Sequence, residues 1–452
     1  MTTVDRGAAW AVIGAGPHGL SALKALLQFG IDADGFERAD DVGGNWFYNG
    51  TTSRVYESTH LISTKPFTQY PDFPMPDDYP DYPSHWQVHA YFRRYAEHFG
   101  LYDHLSLATE VISVTENGGR WDVTVRELAT GAERTAQYAG VVVANGHNWS
   151  AKIPTYPGQE TFTGEILHSA QYKGAEVLRG KRVLVVGAGN TGCDVAVESA
   201  QNAKSTLHST RRGYYYNPKY AFGRPSDQTA DLLLALRLPL ALRRAMFKTV
   251  LRLTVGDFTK FGLPKPDHAF FETHPIVNQQ LVYYVGHGDI SPKPDVARFD
   301  GPTVHFNDGT SAEIDLVIFC TGYLAVFPFL NDDVLYRQGD HPVLARQIFT
   351  PNHDSLVVSG LIQPDSGQWT IAHWQGMLIA AYAAVRARNP ERARTFFDRM
   401  IAERDVRFTG GTTYKDSTRH YFEIAHQEYL RAIEVDFAAL EAALPLERSA
   451  VA

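Results

Sequence analysis

The sequence predicts an α/β fold built from two Rossmann-like dinucleotide-binding domains, the second carrying a helical insertion, and three observations predict it. A short apolar strand runs into a GxGxxG loop and a helix at residue 14, and again at residue 187. Each copy is followed by a second strand that ends at an ionisable residue. Each is closed by a later apolar run that enters a glycine turn. The chain's 452 residues, 44% hydrophobic and 12% aromatic, suffice for two or three domains with full cores, and apolar residues are too evenly spread for disorder.

In the first copy, Ala8 to Ile13 reads as a buried strand, and Gly14-Ala15-Gly16-Pro17-His18-Gly19 follows at once. Leu20, Leu23 and Leu27 then recur at helical spacing until Gly30 stops the helix. Gly14 permits the tight turn, Gly16 lets backbone approach a pyrophosphate, and Gly19 lets helix and strand pack closely. A diphosphate would sit on the helix N-terminus, where free N–H groups and the helix dipole favour anions. The next strand, Ile31 to Phe36, ends at Glu37, a carboxylate suited to a ribose diol. The run Gly140 to Gly146 closes this unit.

In the second copy, Arg182 to Val186 leads into Gly187-Ala188-Gly189-Asn190-Thr191-Gly192 and a helix through Val195, Ala196 and Val197. The strand Ser205 to Ser209 follows and ends in Thr210-Arg211-Arg212, and Asp315 to Gly322 closes the unit. Gly14 to Glu37 spans 23 positions and Gly187 to Arg211 spans 24, so Glu37 and Arg211 are expected at equivalent places. An acid there binds a 2′-hydroxyl; a guanidinium binds a 2′-phosphate through a charge-assisted pair. The first site therefore suits FAD and the second NADPH, a pairing that brings flavin and nicotinamide together for hydride transfer.

Other classes are excluded. Two distant cysteines, Cys193 and Cys320, give no disulfide framework, no CxxC pair for a disulfide reductase and no cysteine-rich zinc site. A formal net charge of -8 argues against nucleic acid as a partner. No basic region followed by an apolar run marks a secretory signal at the N-terminus. The most apolar stretch, Leu232 to Leu251, contains Arg237, Pro239, Arg243, Arg244 and Lys248 and is too charged to span a bilayer. A cytoplasmic protein without stable membrane insertion is expected. His85 and His89 stand at a chelating spacing but lack a third ligand, so no metal site is expected.

The segment Phe162-Thr163-Gly164-Glu165-Ile166-Leu167-His168-Ser169-Ala170-Gln171-Tyr172 matches FxGxxxHxxx(Y/F). That pattern resembles the fingerprint of the class B flavin-containing monooxygenases. Further matches run through most of the chain: Gly43-Gly44-Asn45-Trp46, Val55-Tyr56-Glu57-Ser58, Tyr70-Pro71-Asp72-Phe73-Pro74, the second glycine loop, Ser209 to Gly213, and Cys320 to Tyr323 before Phe327-Pro328-Phe329-Leu330. Ser359 to Pro364 is similar to a family element that returns the chain to the flavin unit. Related Baeyer–Villiger enzymes end the fingerprint in Trp followed by Pro or Asp; Tyr172-Lys173 here favours the branch that oxidises heteroatoms.

The resemblance implies that NADPH reduces FAD, that a C4a-hydroperoxyflavin forms with O2, and that a nucleophilic nitrogen or sulfur of a small molecule takes the distal oxygen. Baeyer–Villiger oxygenation of ketones and an NADPH oxidase releasing hydrogen peroxide are the alternatives. No side chain is expected to be catalytic, because the flavin carries the chemistry, and His168 is expected to fix domain geometry. Gly14, Gly16, Pro17, Gly19, Glu37, Gly44, Trp46 and Gln363 are expected to hold FAD, and Gly187, Gly189, Asn190, Thr191, Ser209, Arg211 and Arg212 NADPH. One departure stands out. The family usually shows Thr-Asn-x-Pro-Lys before its proline-rich element, and Ile62 takes the place of that Asn; Ser63 or Thr64 is left to supply a hydroxyl.

The proline-rich Pro66 to Pro83 segment reads either as a wall of the flavin pocket or as an ordinary surface loop. The insertion, about 225–275, is expected to cover the substrate or to form the contact of a homodimer. The helix beginning near Trp369, His373, Trp374 and Gln375 is expected near the flavin, and amphipathic helices are expected after Pro390. The FAD domain is expected over 1–170 and 324–452, and the NADPH domain over 171–323.

Overall fold

Two all-parallel five-stranded sheets organise the chain in its computed structural model. Residues 3–235, 238–339, 341–414 and 420–442 are described, with backbone alone at 232–235, so the Leu232-Leu233-Leu234 and Arg237 readings lie outside the described side chains. The first sheet runs Leu356–Val358, Gly140–Val143, Trp10–Ile13, Ala33–Phe36, Leu105–Ser106. The second runs Glu165–His168, Leu316–Phe319, Arg182–Val186, Ser205–Ser209, Ile290–Lys293. The central strands bury four-residue runs, Trp10–Ile13, Gly140–Val143, Leu316–Phe319 and residues 183–186, as sheets covered on both faces require.

The two units repeat one plan. In each, the strand after the glycine helix is followed by a long excursion, a helix, a strand and an antiparallel meander before the closing strand. The meanders are Thr109–Asn117, Arg120–Glu127 and Glu133–Tyr138 in the first unit, and Val296–Asp300, Thr303–Phe306 and Ser311–Glu313 in the second. Gly118 and Gly119, both at positive φ, make the tight turn of the first hairpin.

The border is expected at residue 170, and strand pairing bears on the residues just before it. Glu165–His168 hydrogen-bonds to Leu316–Phe319 at the edge of the second sheet, so that strand packs with the second unit. The chain passes between units through Ser150–Ala151 and Tyr323–Leu324, which pair antiparallel with each other. The matching edge of the first sheet is Leu356–Val358, three residues too short to be read as a strand from sequence.

The helix Trp369–Arg388 is buried on nearly every side and packs along the glycine helix Pro17–Gln28. Their approach is close enough that a Cβ on Gly376 would stand 2.8 Å from the Ser21 carbonyl oxygen. Its one buried amide, Gln375, is satisfied: Oε1 accepts from the Gly360 amide at 3.0 Å and Nε2 donates to the Tyr429 hydroxyl at 2.6 Å. Pro390–Ala402 starts from an Asn389 cap and His426–Glu441 follows, each burying one apolar face.

Candidate functional site

The first glycine loop is shaped by contacts that a side chain would destroy. Gly14 holds φ +100, and a Cβ there would lie 2.7 Å from the Ala144 carbonyl oxygen at the end of the closing strand. A Cβ on Gly19 would lie 1.7 Å from the Gly14 oxygen. Gly16 instead faces Gly44, whose turn is fixed over the loop by the Gly43 amide donating to the Ala15 carbonyl at 2.9 Å. The helix Pro17–Gln28 begins with no side-chain cap and no acid in its first turn, which leaves its N-terminus open to an anion.

Glu37 closes this cleft. It is buried, and its carboxylate accepts the Ala15 amide at 2.7 Å and the Ala39 amide at 2.8 Å; burial raises its pKa while the amides oppose the rise. Gly14, Gly16, Pro17, Glu37, Gly44 and Trp46 line one cleft together, with Gly19 packed behind it. Gln363 stands apart, in a short strand beside Glu423–Ile424 and outside that lining. His18 is a wall residue that the sequence reading missed. Its Nδ1 lies 3.2 Å from Ser359 Oγ, its Nε2 has no hydrogen-bond partner among the described residues, and burial pushes its pKa down to about 3. An unpaired buried nitrogen, open amides and a buried carboxylate on one cleft fit a flavin dinucleotide.

The second loop repeats the geometry. Gly187 holds φ +117 with a hypothetical Cβ 2.3 Å from the Cys320 carbonyl oxygen, and one on Gly192 would be 2.0 Å from the Gly187 oxygen. The helix Asn190–Asn202 starts from Gly189 without a side-chain cap or an early acid, and Thr191 lies half-buried in its first turn. Two expectations change. The Asn190 side chain is engaged by the insertion, donating to the Pro275 carbonyl at 3.1 Å and accepting the Val277 amide at 2.7 Å. The Ser209 hydroxyl is buried and donates to the Pro294 carbonyl at 2.8 Å, so it has no proton left for a nucleotide.

The expected equivalence of Glu37 and Arg211 is also corrected. Gly14 donates to Phe36 and Gly187 to Ser209, and Ile13 pairs with Phe36 as Val186 pairs with Ser209. Thr210 is therefore the counterpart of Glu37, and Arg211 stands one residue further out. A small Thr210 removes the carboxylate that would repel a phosphate, and the exposed Arg211 makes no ion pair among the described residues. Arg212, beside it, is half-buried. These residues fit a nucleotide bearing a 2′-phosphate.

Side chains join the units. Tyr56 donates to Asp194 at 2.7 Å and Ser58 to Glu198 at 3.3 Å, both acids on one helix of the second unit, where Tyr172 also donates to Glu198 at 2.6 Å. Asn278 also donates to Asp194, whose pKa burial raises. His168 is buried beside Tyr323, its Nδ1 accepts the Ala170 amide at 3.0 Å, and burial lowers its pKa. An accepting Nδ1 places the proton of the neutral ring on Nε2, which faces Gly322 where the chain crosses between units. His89 lies 3.3 Å from Asp41, and His85 stacks on Tyr48.

The proline-rich segment is a packed wall. Tyr70 stacks on Tyr95 and donates to the Pro17 carbonyl, while Tyr82 donates to the Lys219 carbonyl. Lys65 uses all three ammonium protons, on the Pro76, Asp77 and Tyr79 carbonyls. Ile62 lines a second, larger cavity of about 1130 Å³. Neither hydroxyl beside it is free: Ser63 pairs with Thr68 at 2.7 Å, and buried Thr64 donates to Asp227 at 2.8 Å. Asp227 belongs to the insertion and also accepts the Thr64 amide at 2.6 Å, so it latches the insertion to this segment. The insertion's helices, Ser226–Ala235 and Leu240–Thr254, form one side of the cavity, and Phe67, Tyr82, Tyr215, Phe247, Phe270 and Phe271 supply aromatic wall.

Two dinucleotide cradles of this kind, linked through one helix and flanked by an apolar chamber, define a nucleotide-dependent oxidoreductase. The chain belongs to the flavin-binding monooxygenase-like family, whose family model matches residues 8–423. It is 36% identical over 376 residues to flavin-containing monooxygenase 5 of Oryctolagus cuniculus, covering 78% of this chain and 69% of that protein. It is 34% identical to the Rattus norvegicus protein of the same name, over 91% of this chain and 79% of that one. Among solved structures it is similar to S-allyl-L-cysteine S-oxygenase of Allium sativum, at TM-score 0.64 and 20% identity over 99% and 95% of the two chains. It is also similar to cyclohexanone monooxygenase, at TM-score 0.71 and 19% identity over 98% of each. The protein is a flavin monooxygenase that uses FAD and NADPH. No described helix is long and apolar enough to cross a membrane.

Proposed function

We propose that this flavin monooxygenase oxygenates a nitrogen or sulfur atom of a small molecule, with electrons from NADPH and oxygen from O2. The observation that carries the reading is the pairing of two glycine cradles, one carboxylate-lined and one ending in guanidinium, with an aromatic cavity bordered by Ile62. Relatives named for N-oxide formation and S-oxygenation support heteroatoms as the acceptor, as does Tyr172-Lys173. Ketone oxygenation is the second reading, favoured by the cyclohexanone monooxygenase likeness in fold.

Bound flavin supplies hydride acceptance and oxygen activation. The chain's residues bind and shield. Glu37 would take the flavin ribose, the Pro17 helix its diphosphate, Arg211 and Arg212 the 2′-phosphate of NADPH, and the Asn190 helix the nicotinamide diphosphate. The aromatic segment and the insertion exclude water. Gln363 belongs to the flavin side in this reading. The units divide near the paired crossings, about 1–150 with 325–452 and 152–322. Exposed Leu242, Leu253 and Phe261 on the insertion support a homodimer contact there, and a cytoplasmic location belongs to the same reading.

The test is anaerobic reduction by NADPH followed by rapid mixing with oxygen. A transient absorbance band distinct from oxidised and reduced flavin, with a sulfoxide or N-oxide formed per NADPH, is the expected result. Immediate reoxidation with stoichiometric hydrogen peroxide would favour the oxidase, and lactone or ester from a ketone the Baeyer–Villiger reading. The Asp227 latch gives a second expectation. Asp227→Ala strips the buried Thr64 amide and hydroxyl of the one carboxylate oxygen that accepts both, a loss of roughly 1–3 kcal/mol, and peroxide should take a several-fold larger share of the NADPH consumed. An unchanged product-to-peroxide ratio would remove the latch from the shielding role.

A further inference from the structure

Of the acids lining the large cavity, Glu423 alone is fully buried, with its side chain 1% exposed. Its Oε2 lies 3.4 Å from His274 Nδ1, and its Oε1 has no hydrogen-bond partner among the described residues. A carboxylate oxygen withdrawn from water without a donor is costly to keep, and an apolar side chain would close the wall more cheaply. Asp365, exposed to the cavity, stands beside it, with Oδ1 accepting the His426 amide at 2.9 Å. The other lining acids differ: Asp227 is latched to Thr64, Glu428 accepts the Gly410 amide, and Asp231 faces His426. The cavity's arginines, Arg243 and Arg431, form no ion pair with Glu423 or Asp365 among the described residues. No group of three metal-ligating side chains converges there among the described residues.

We infer that Glu423, with Asp365 beside it, anchors an ammonium group of the substrate in this cavity. The substrate class is then an organic amine whose apolar or aromatic arm lies along the Phe247, Phe270 and Phe271 wall and carries the atom to be oxygenated. The net negative lining draws the cation in. This inference rests on the heteroatom-oxygenating reading for the chemistry and on the cavity alone for the binding.

The matched probes are 2-(benzylthio)ethanamine, an ammonium at neutral pH, and benzyl propyl sulfide, in which methyl replaces the ammonium. Binding is measured by calorimetry on the FAD-loaded protein without NADPH, so that no turnover is needed. The ammonium probe should bind roughly tenfold or more tightly than the sulfide, against the order that hydrophobicity alone would give. Glu423→Gln should abolish that preference and leave the sulfide's Kd unchanged; Asp365→Asn should weaken it. Equal or tighter binding of the sulfide by the native protein overturns the inference, whatever the variants do, as does a preference that survives both substitutions. Sulfoxide formation is scored separately with NADPH and O2. A preference without sulfoxide would sink the oxygenation reading and keep the ammonium site; sulfoxide from both probes without preference would do the reverse.

Discussion

Arg211→Ala should raise the Michaelis constant for NADPH by about tenfold or more and leave that for NADH nearly unchanged. The guanidinium is exposed and makes no ion pair among the described residues, so its removal costs the free protein little. A charge-assisted pair to phosphate contributes about 1.5–3 kcal/mol, and solvent screening at an exposed strand end puts the expectation toward the lower figure. The corrected register adds a sharper variant. Thr210→Glu places a carboxylate at the true counterpart of Glu37, where it should repel the 2′-phosphate and accept a ribose hydroxyl. That variant should reverse the coenzyme preference further than Arg211→Ala does. Steady-state kinetics with both coenzymes decide the matter, and equal effects on NADPH and NADH would remove Arg211 from the 2′-phosphate.

Gly19→Ala and Gly16→Ala should separate folding from flavin binding. A Cβ on Gly19 would fall 1.7 Å from the Gly14 carbonyl oxygen, a backbone atom held between strand and helix. The glycine helix must then lift away from the sheet and from the buried Trp369–Arg388 helix, at roughly 3 kcal/mol or more. The expected product is insoluble or colourless protein with a depressed melting temperature. Gly16 has φ -73, and its hypothetical Cβ meets nothing closer than Gly44 Cα at 3.7 Å. Gly16→Ala should therefore fold with a near-native melting temperature and lose flavin, because the new methyl occupies the approach of the diphosphate. Flavin content by absorbance and thermal melting read both effects; a yellow, stable Gly19→Ala protein would contradict the packing role of that glycine.

The glycine loops were legible because three residues at fixed spacing meet steric demands set within a few ångströms and some thirty residues of chain. Glu37 was legible for the same reason, since it ends the strand beside its own loop. Arg211 was legible as chemistry and misplaced by one position, because counting along the chain cannot see the strand register that the Gly187 and Ser209 hydrogen bond defines. Ser209 and Asn190 fit the loop pattern, yet their side chains are taken by Pro294, Pro275 and Val277, residues some 85 positions away. His18 was passed over as an unspecified loop position, and only its burial against Ser359 and Gly360 marks it as part of the cleft wall.

By itself the sequence determined the α/β class, the doubled nucleotide unit, the two cofactors and the family, because these rest on local turns and apolar periodicities that are short-range and strongly constrained. Tertiary structure alone decided where the units divide, which edge strand joins which sheet, and what surrounds Ile62. Glu165–His168 carries no mark of the sheet it will join; its partner, Leu316–Phe319, lies about 150 residues away. The same holds for the latch between Asp227 and Thr64 and for Glu423 beside Asp365. A carboxylate reads from sequence as a solvated charge, and only the fold, by withdrawing water and supplying or withholding donors, sets what that charge can bind.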